Sequence, residues 1–115
     1  MKILVCGGRD YSGYEEVANV LDGYDFPGMK GLAIIHGGAR GADSLAGRYA
    51  QENGICEIVV KANWDQYGKG AGTVRNQWML DYCNPDLVIA LPGGAGTADM
   101  VRRARKAGVE VVEVP

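Results

Sequence analysis

Five short apolar segments recur along the chain, with amphipathic segments between them. They are rich in β-branched residues and span residues 3–6, 32–35, 56–60, 87–91 and 109–114. Runs that are this short and this apolar are typical of strands covered on both faces of a parallel sheet. In the last run Val and Glu alternate, which indicates a wetter position at the edge of the sheet.

The segments between the strands carry apolar residues at helical spacing and recognisable end signals. Predicted helix starts are a capping box at Ser12, then Ala42 or Asp43, Thr73 and Thr97, and predicted ends are Gly54, Asn84 and Gly108. The strand–helix alternation predicts an α/β fold: a Rossmann-like, doubly wound parallel sheet of five strands with helices on both faces. Residues 1–115 are expected to form a single domain. The one long connection, residues 61–72, is the length of a binding loop.

Three of the predicted strands end in glycine-rich turns with interleaved charges. The turns are Gly-Gly-Arg-Asp at 7–10, His-Gly-Gly-Ala-Arg-Gly-Ala-Asp at 36–43 and Pro-Gly-Gly-Ala-Gly-Thr at 92–97. A turn that feeds a helix leaves unpaired amides at the positive end of the helix dipole, which suits a phosphate. If the strand order is 3-2-1-4-5, the first and third turns flank the crevice where such sheets bind ligands. The three turns therefore predict one pocket for a phosphorylated small molecule.

The candidate ligand-binding residues come from these turns and from the helix before the fourth strand. They are Gly7, Gly8, Arg9, Asp10, Gly37, Gly38, Arg40, Asp43, Arg75, Asn76, Pro92, Gly93, Gly94, Gly96 and Thr97. Other roles are open for several: Thr97 as a helix cap, and Arg9 with Asp10 or Arg40 with Asp43 as structural ion pairs. Trp64 and Tyr67 either stack on a base or pack locally. His36 is expected to be structural.

Composition narrows the function classes. A net charge of −2 gives no electrostatic case for duplex DNA or an anionic membrane, and no apolar run is long enough to span one. The odd number of cysteines, Cys6, Cys56 and Cys83, with no CxxC pair, favours reduced, buried thiols in a cytoplasmic protein. A P-loop, a GxGxxG fingerprint and metal-ligand spacing are all absent from the sequence, so no metal or cofactor is predicted.

The four motifs, in order, resemble the YspA-like family of the SLOG superfamily of Rossmann-like proteins. They are the turns at 7–11, 36–43 and 92–101, with Arg75-Asn76 after a Trp64/Tyr67/Gly68 loop. The superfamily also contains the LOG phosphoribohydrolases and the DNA-processing protein DprA. The resemblance implies a nucleotide-type ligand and, because related proteins usually form homodimers, at least a dimer with the Arg75 helix near its interface.

LOG enzymes cleave the N-glycosidic bond of a nucleoside 5′-monophosphate and carry the pattern PGGxGTxxE. By this resemblance Arg75 is the expected catalytic arginine, but Met100 stands at the glutamate position. Asp99 is one residue earlier, about 100° away on a helix. Asp99, Asp10 or Asp43 would have to supply the acid.

Three functions therefore remain open. The chain hydrolyses a nucleotide, or it binds a nucleotide-derived signal without cleaving it, or it binds single-stranded DNA as DprA does. The third rests on fold kinship and on basic residues 102–106, which also suit a solvated helix end.

Overall fold

The computed structural model describes residues 1–25 and 31–115, in which five strands alternate with helices. The strands are β1 (Lys2–Cys6), β2 (Ala33–His36), β3 (Cys56–Val59), β4 (Leu87–Ala90) and β5 (Glu110–Glu113). The helices are α1 (Tyr14–Asp22), α2 (Ala42–Glu52), α3 (Trp64–Tyr67), α4 (Ala71–Trp78) and α5 (Ala95–Lys106). A 3₁₀ turn at Gly68–Gly70 joins α3 to α4, and a π-helical turn at Met79–Cys83 extends α4.

All neighbouring strands are parallel, in the order β3-β2-β1-β4-β5. The predicted fold class is therefore confirmed, and the sheet has the strand order that was assumed from the sequence. β1 lies in the centre, with Leu4 beside Ile35 of β2 and Val88 of β4. The strand order reverses between β1 and β4, so their following turns diverge to opposite sides and leave a crevice between them.

Apolar side chains cover both faces of the sheet. On one face Ile3, Val5 and Ile34 pack against α1 and α2. On the other face Leu4, Cys6, Ile35, Val88 and Ala90 pack against α5 and the α4 region, including Met79 and Met100. Successive strand residues point to opposite faces, which is why β1 can supply both cores and why its sequence is apolar throughout.

Three predicted helix starts are wrong. Gly13, not Ser12, precedes α1, and no side chain caps that helix. The third long helix, α4, begins at Ala71 rather than Thr73, and α5 begins at Ala95 rather than Thr97. In both cases one glycine stands immediately before the helix and another lies in its first turn. No side chain caps either helix, so neither start carries a Ser, Thr or Asp signal.

The predicted helix ends agree with the backbone. Gly54 and Gly108 have φ of +64° and +78°, and Asn84 has φ of +48°. Left-handed residues of this kind commonly terminate helices. The 61–72 connection is not an open loop, because α3 and the 3₁₀ turn occupy most of it.

The cysteine prediction is correct only in part. All three are free, and Cys6 is buried, but Cys56 is exposed and Cys83 is half-buried. Cys56 opens the edge strand β3, whose outer side chains no helix covers completely. In the described residues, no helix has the length and apolar character to cross a membrane.

Candidate functional site

A cleft of about 490 Å³ lies where β1 and β4 end. It is bounded by the turn after β1, the first turn of α5, residues of α4 and one carboxylate of α2. The predicted residues that line it are Gly7, Gly8, Arg9, Gly37, Asp43, Arg75, Asn76, Gly94, Gly96, Thr97 and Asp99. The predicted residues outside its lining are Asp10, Gly38, Arg40, Pro92 and Gly93.

The first turn of α5 presents backbone amides to the cleft. Ala98 is the first residue of this helix whose amide is paired, with the Gly94 carbonyl at 3.1 Å. Within residues 1–25 and 31–115 nothing accepts from the amides of Ala95, Gly96 and Thr97. Three open donors at the positive end of a helix are electrostatically favourable for an anion.

Two of the glycines in this turn are not required by the fold. A Cβ at Gly94 or Gly96 would meet nothing within 4 Å, and neither residue has a left-handed backbone. Gly7 and Gly93 differ, since a Cβ on Gly7 would lie 2.6 Å from the Ala42 Cβ and one on Gly93 would collide with the Thr97 hydroxyl. The space above Gly94 and Gly96 is therefore available to a ligand.

Arg75 projects from α4 into the cleft and is held at two points. Its Nη1 donates to the Gly37 carbonyl at 2.9 Å and its Nε donates to Asn76 Oδ1 at 3.1 Å. Burial lowers the pKa of the guanidinium, opposed by the nearby Asp43 carboxylate. An arginine remains charged even so, and no group of the described residues accepts from its Nη2.

Asn76 ties α4 to α5. Its Nδ2 donates to the Gly96 carbonyl at 3.2 Å and to Asp99 Oδ2 at 3.1 Å. The amide side chain therefore fixes the first turn of α5 relative to Arg75.

Asp43 is the carboxylate placed in the cleft with one oxygen uncommitted. Its Oδ2 accepts from the amides of Gly37 at 3.1 Å and Ala39 at 3.2 Å. The residue is 7% exposed, and burial raises its pKa, against the effects of the Ala39 amide and Arg75. One interpretation of the sequence paired Asp43 with Arg40. Arg40 pairs with Asp10 instead.

Asp99 is also buried beside the cleft, but protein groups occupy both of its oxygens. Arg102 donates to Oδ1 at 2.6 Å, and Arg103 donates to Oδ2 at 2.9 Å, where Asn76 also binds. Met100, at the position of the LOG glutamate, is fully buried in the core against the sheet. The geometry gives Asp99 the role of bracing α5.

The remaining charged candidates lie at the rim. Asp10 pairs with Arg40 at 3.4 Å rather than with Arg9, and both side chains are exposed. Arg9 instead lies over the Trp64 ring, 5.6 Å from its centroid. Trp64 lines the cleft, whereas Tyr67 faces another groove. Of the two aromatic residues, only Trp64 is placed to stack on a ligand in the cleft.

His36 lies outside the cleft. Its Nε2 is 2.6 Å from Glu57 Oε2, and its Nδ1 accepts from the Gly38 amide at 3.0 Å. Both ring nitrogens are thus used within the protein, consistent with a structural role. In the described ranges, no group of three or more His, Cys, Asp or Glu is arranged to hold a metal ion.

Sequence reasoning missed several residues of the cleft. Lys69 and Thr73 reach it from the connection and α4, and Cys6 reaches it from the end of β1. Burial raises the pKa of the Cys6 thiol to about 12, so it stays protonated at neutral pH. A strand residue immediately before a glycine turn is the signal that would have found Cys6.

Three of the four basic residues at 102–106 are engaged by two carboxylates. Arg102 and Arg103 bind Asp99, and Arg105 Nη2 bonds Glu113 at 2.9 Å. The basis for DNA binding is weakened accordingly.

An exposed apolar face runs along α4 and the π-helical turn that extends it. It consists of Val74, Trp78 and Tyr82, at helical spacing. The homodimer stays a prediction.

The comparisons with known proteins fit this arrangement. The model of the YspA, cpYpsA-related SLOG family (YAcAr) matches residues 1–67, more than half of the chain. The chain belongs to this family. Gene 61 protein of Mycobacterium phage D29 is 35% identical over 118 residues, covering 96% of this chain and 94% of the relative.

Two solved structures share the fold. A UDP-N-acetylglucosamine 2-epimerase matches with a TM-score of 0.63 and 13% identity over 99% of this chain, which spans only 33% of the epimerase. The C-terminal domain of a hydrogenase from Pyrococcus furiosus matches with a TM-score of 0.60 and 18% identity, covering 98% of this chain and 90% of that domain. Family and architecture together support a nucleotide-related binding fold.

Proposed function

We propose that the chain binds a nucleotide-type ligand with its 5′-phosphate at the N-terminus of α5. The observation that carries the proposal is the set of unpaired amides of Ala95, Gly96 and Thr97, which open into the cleft. The vacant space above Gly94 and Gly96 lets a phosphate approach the backbone closely.

Arg75 adds the second half of the phosphate site. Its guanidinium is fixed by Gly37 and Asn76, so little side-chain entropy is lost when it binds. Trp64 lines the same cleft and offers a flat apolar surface for a base. Charge-assisted hydrogen bonds of a buried arginine contribute about 1.5–3 kcal/mol each.

Calorimetric titration with the four ribonucleoside 5′-monophosphates, each against its nucleoside, tests this function. The phosphate should tighten binding of at least one nucleoside, and Arg75→Gln should lose about tenfold or more of that gain. Arg105→Gln is the matched control, because Arg105 lies at the far end of α5. Monophosphates that bind no better than nucleosides would refute the proposal.

A second candidate function is hydrolysis of the bound nucleotide at its N-glycosidic bond. The position of Asp43 in the cleft favours it. In that reaction water adds to C1′ of the ribose while the bond to the base breaks, giving ribose 5-phosphate and the free base. Asp43 lines the cleft, and in this reaction its Oδ1 would take the proton from water or stabilise the positive charge at C1′. Burial raises the pKa of this carboxyl above its ordinary value, so it takes up a proton more readily than an exposed aspartate does.

Chromatography of the products separates hydrolysis from binding. Release of free base, lost in Asp43→Asn and kept in Asp81→Asn, would support catalysis by Asp43. Asp81 is an exposed carboxylate that pairs with Gln77, away from the cleft. Monophosphate that binds and is recovered intact would instead make the protein a sensor or a sequestering protein.

A further inference from the structure

A second cavity, of about 430 Å³, adjoins the cleft on the side of β2. The two cavities share Arg9, Gly37, Ala39, Trp64 and Arg75. A ligand that extends past the Arg9–Trp64 pair would enter the second cavity from the first.

Four cations line this second cavity, and no carboxylate does. They are Arg9, Arg40, Lys61 and Arg75. The whole chain has a net charge of −2, so this concentration of positive charge is local and does not follow from composition.

The protein itself compensates these charges weakly. Arg40 pairs with Asp10 at 3.4 Å, but their side chains are 76% and 94% exposed, and such pairs contribute about 0–1 kcal/mol. Arg9 is satisfied by the face of Trp64. Lys61 has no carboxylate within salt-bridge distance among the described residues. Like charges gathered with only weak compensation from exposed carboxylates favour an anion from outside.

We propose that this cavity binds a second anionic group of the same ligand. The ligand class is then a nucleotide that carries a phosphate-type group in addition to the 5′-phosphate at α5. The inference rests on the proposed function, because the first phosphate sets the position from which the second reaches the cations. A simple monophosphate would leave Arg40 and Lys61 unused.

The experiment starts from the nucleoside whose 5′-monophosphate binds. Its 5′-diphosphate and its 3′,5′-bisphosphate are titrated against the same protein, in the same low-salt buffer. At least one of them should bind about tenfold or more tightly than the monophosphate, which is the effect of one charge-assisted contact.

Lys61→Glu tests where that gain arises. Lys61 is exposed, so the fold should tolerate the change, and the monophosphate affinity should stay the same. The gain from the second group should be lost. Lys106→Glu is the matched control with an identical change in net charge, placed at the opposite end of α5 from the phosphate site.

Each outcome bears on a different claim. A gain that disappears in Lys61→Glu and persists in Lys106→Glu supports the second subsite. Equal affinities for one and two phosphate groups, or an equal loss in both variants, would overturn it while leaving the phosphate site at α5 intact. Failure of every monophosphate to bind would overturn the proposed function itself.

Discussion

The turns at 36–43 and 92–97 have similar sequences and opposite structures. In the first turn the amides of Gly37, Gly38 and Ala39 donate to Asp43 and His36. In the second turn the amides at the start of α5 have no protein acceptor in the described chain. The first turn thus contains its own anion, the Asp43 carboxylate, and the second is open for one from solution.

The glycines differ in the same way. A Cβ on Gly37 would lie 2.6 Å from Arg75 Cζ and 2.9 Å from Asp43 Oδ2, so that glycine is required for packing. A Cβ on Gly94 or Gly96 would contact nothing. Glycine content alone therefore does not identify a phosphate loop. The proposed phosphate site rests instead on unpaired donors together with unfilled space.

The largest effect is expected when the open turn is given an anion of its own. Gly96→Asp places a carboxylate over the free amides, where it mimics Asp43 in the other turn. Phosphate affinity should fall about hundredfold, while the helix dipole keeps or raises stability by about 0.3–1 kcal/mol. Calorimetric titration and urea unfolding measure the two quantities.

Gly96→Asn is the isosteric control for that change. It adds the same bulk without charge, so it should weaken phosphate binding less than Gly96→Asp does. Unchanged affinity in the aspartate variant would show that the phosphate does not bind there.

A smaller effect is expected on the free energy of unfolding, and it distinguishes Gly37 from Gly94. Gly37→Ala should cost about 1–3 kcal/mol, because Arg75 is fixed by hydrogen bonds and cannot yield without losing them. Gly94→Ala should change the free energy of unfolding by less than about 0.5 kcal/mol. Urea denaturation of both variants gives the comparison, and equal losses would contradict it.

The smallest effect concerns the Asp43 carboxylate, which accepts hydrogen bonds from the first turn. Burial raises the pKa of Asp43 in the folded state, so at a pH between the unfolded and the folded pKa the folded protein holds a proton that the unfolded chain has lost. Its contribution to stability is present below the ordinary aspartate pKa and is lost as pH rises through the folded pKa. Asp43→Asn should therefore gain stability relative to the native protein as pH rises.

Urea unfolding of both proteins from about pH 4 to about pH 7 checks the sign. If the native protein instead becomes more stable relative to Asp43→Asn as pH rises, the two amides and Arg75 outweigh the effect of burial on the Asp43 pKa. Asp43 would then be a fixed anion rather than a proton acceptor.

The fold was accessible from the sequence because each strand is a short, largely apolar run rich in β-branched residues and bounded by turn signals. The strand order was assumed rather than derived, and the sheet has that order. The helix starts at 71 and 95 were misjudged because their first residues are Ala and Gly, which carry no capping signal. The structure of the 61–72 connection was missed because Trp64–Tyr67 is only one helical turn.

The site was predictable at the level of turns but not of pairings. Arg9 with Asp10 and Arg40 with Asp43 are close in sequence, which suggested local ion pairs. The structure joins Arg40 to Asp10 across two turns and places Arg9 on Trp64. Such partners come from separate strand ends, and their distance is set by the twist and register of the sheet.

The sequence by itself determined the parallel sheet, the crevice at its carboxyl edge and the set of turns that surround it, since these follow from local hydrophobic patterns and glycine positions. Only the tertiary structure decided which turn has free amides, which carboxylate faces the cleft and where the cations gather. Those properties depend on whether a partner from a distant segment reaches a given donor. A one-dimensional pattern records the donors but not the acceptors that meet them in the folded chain.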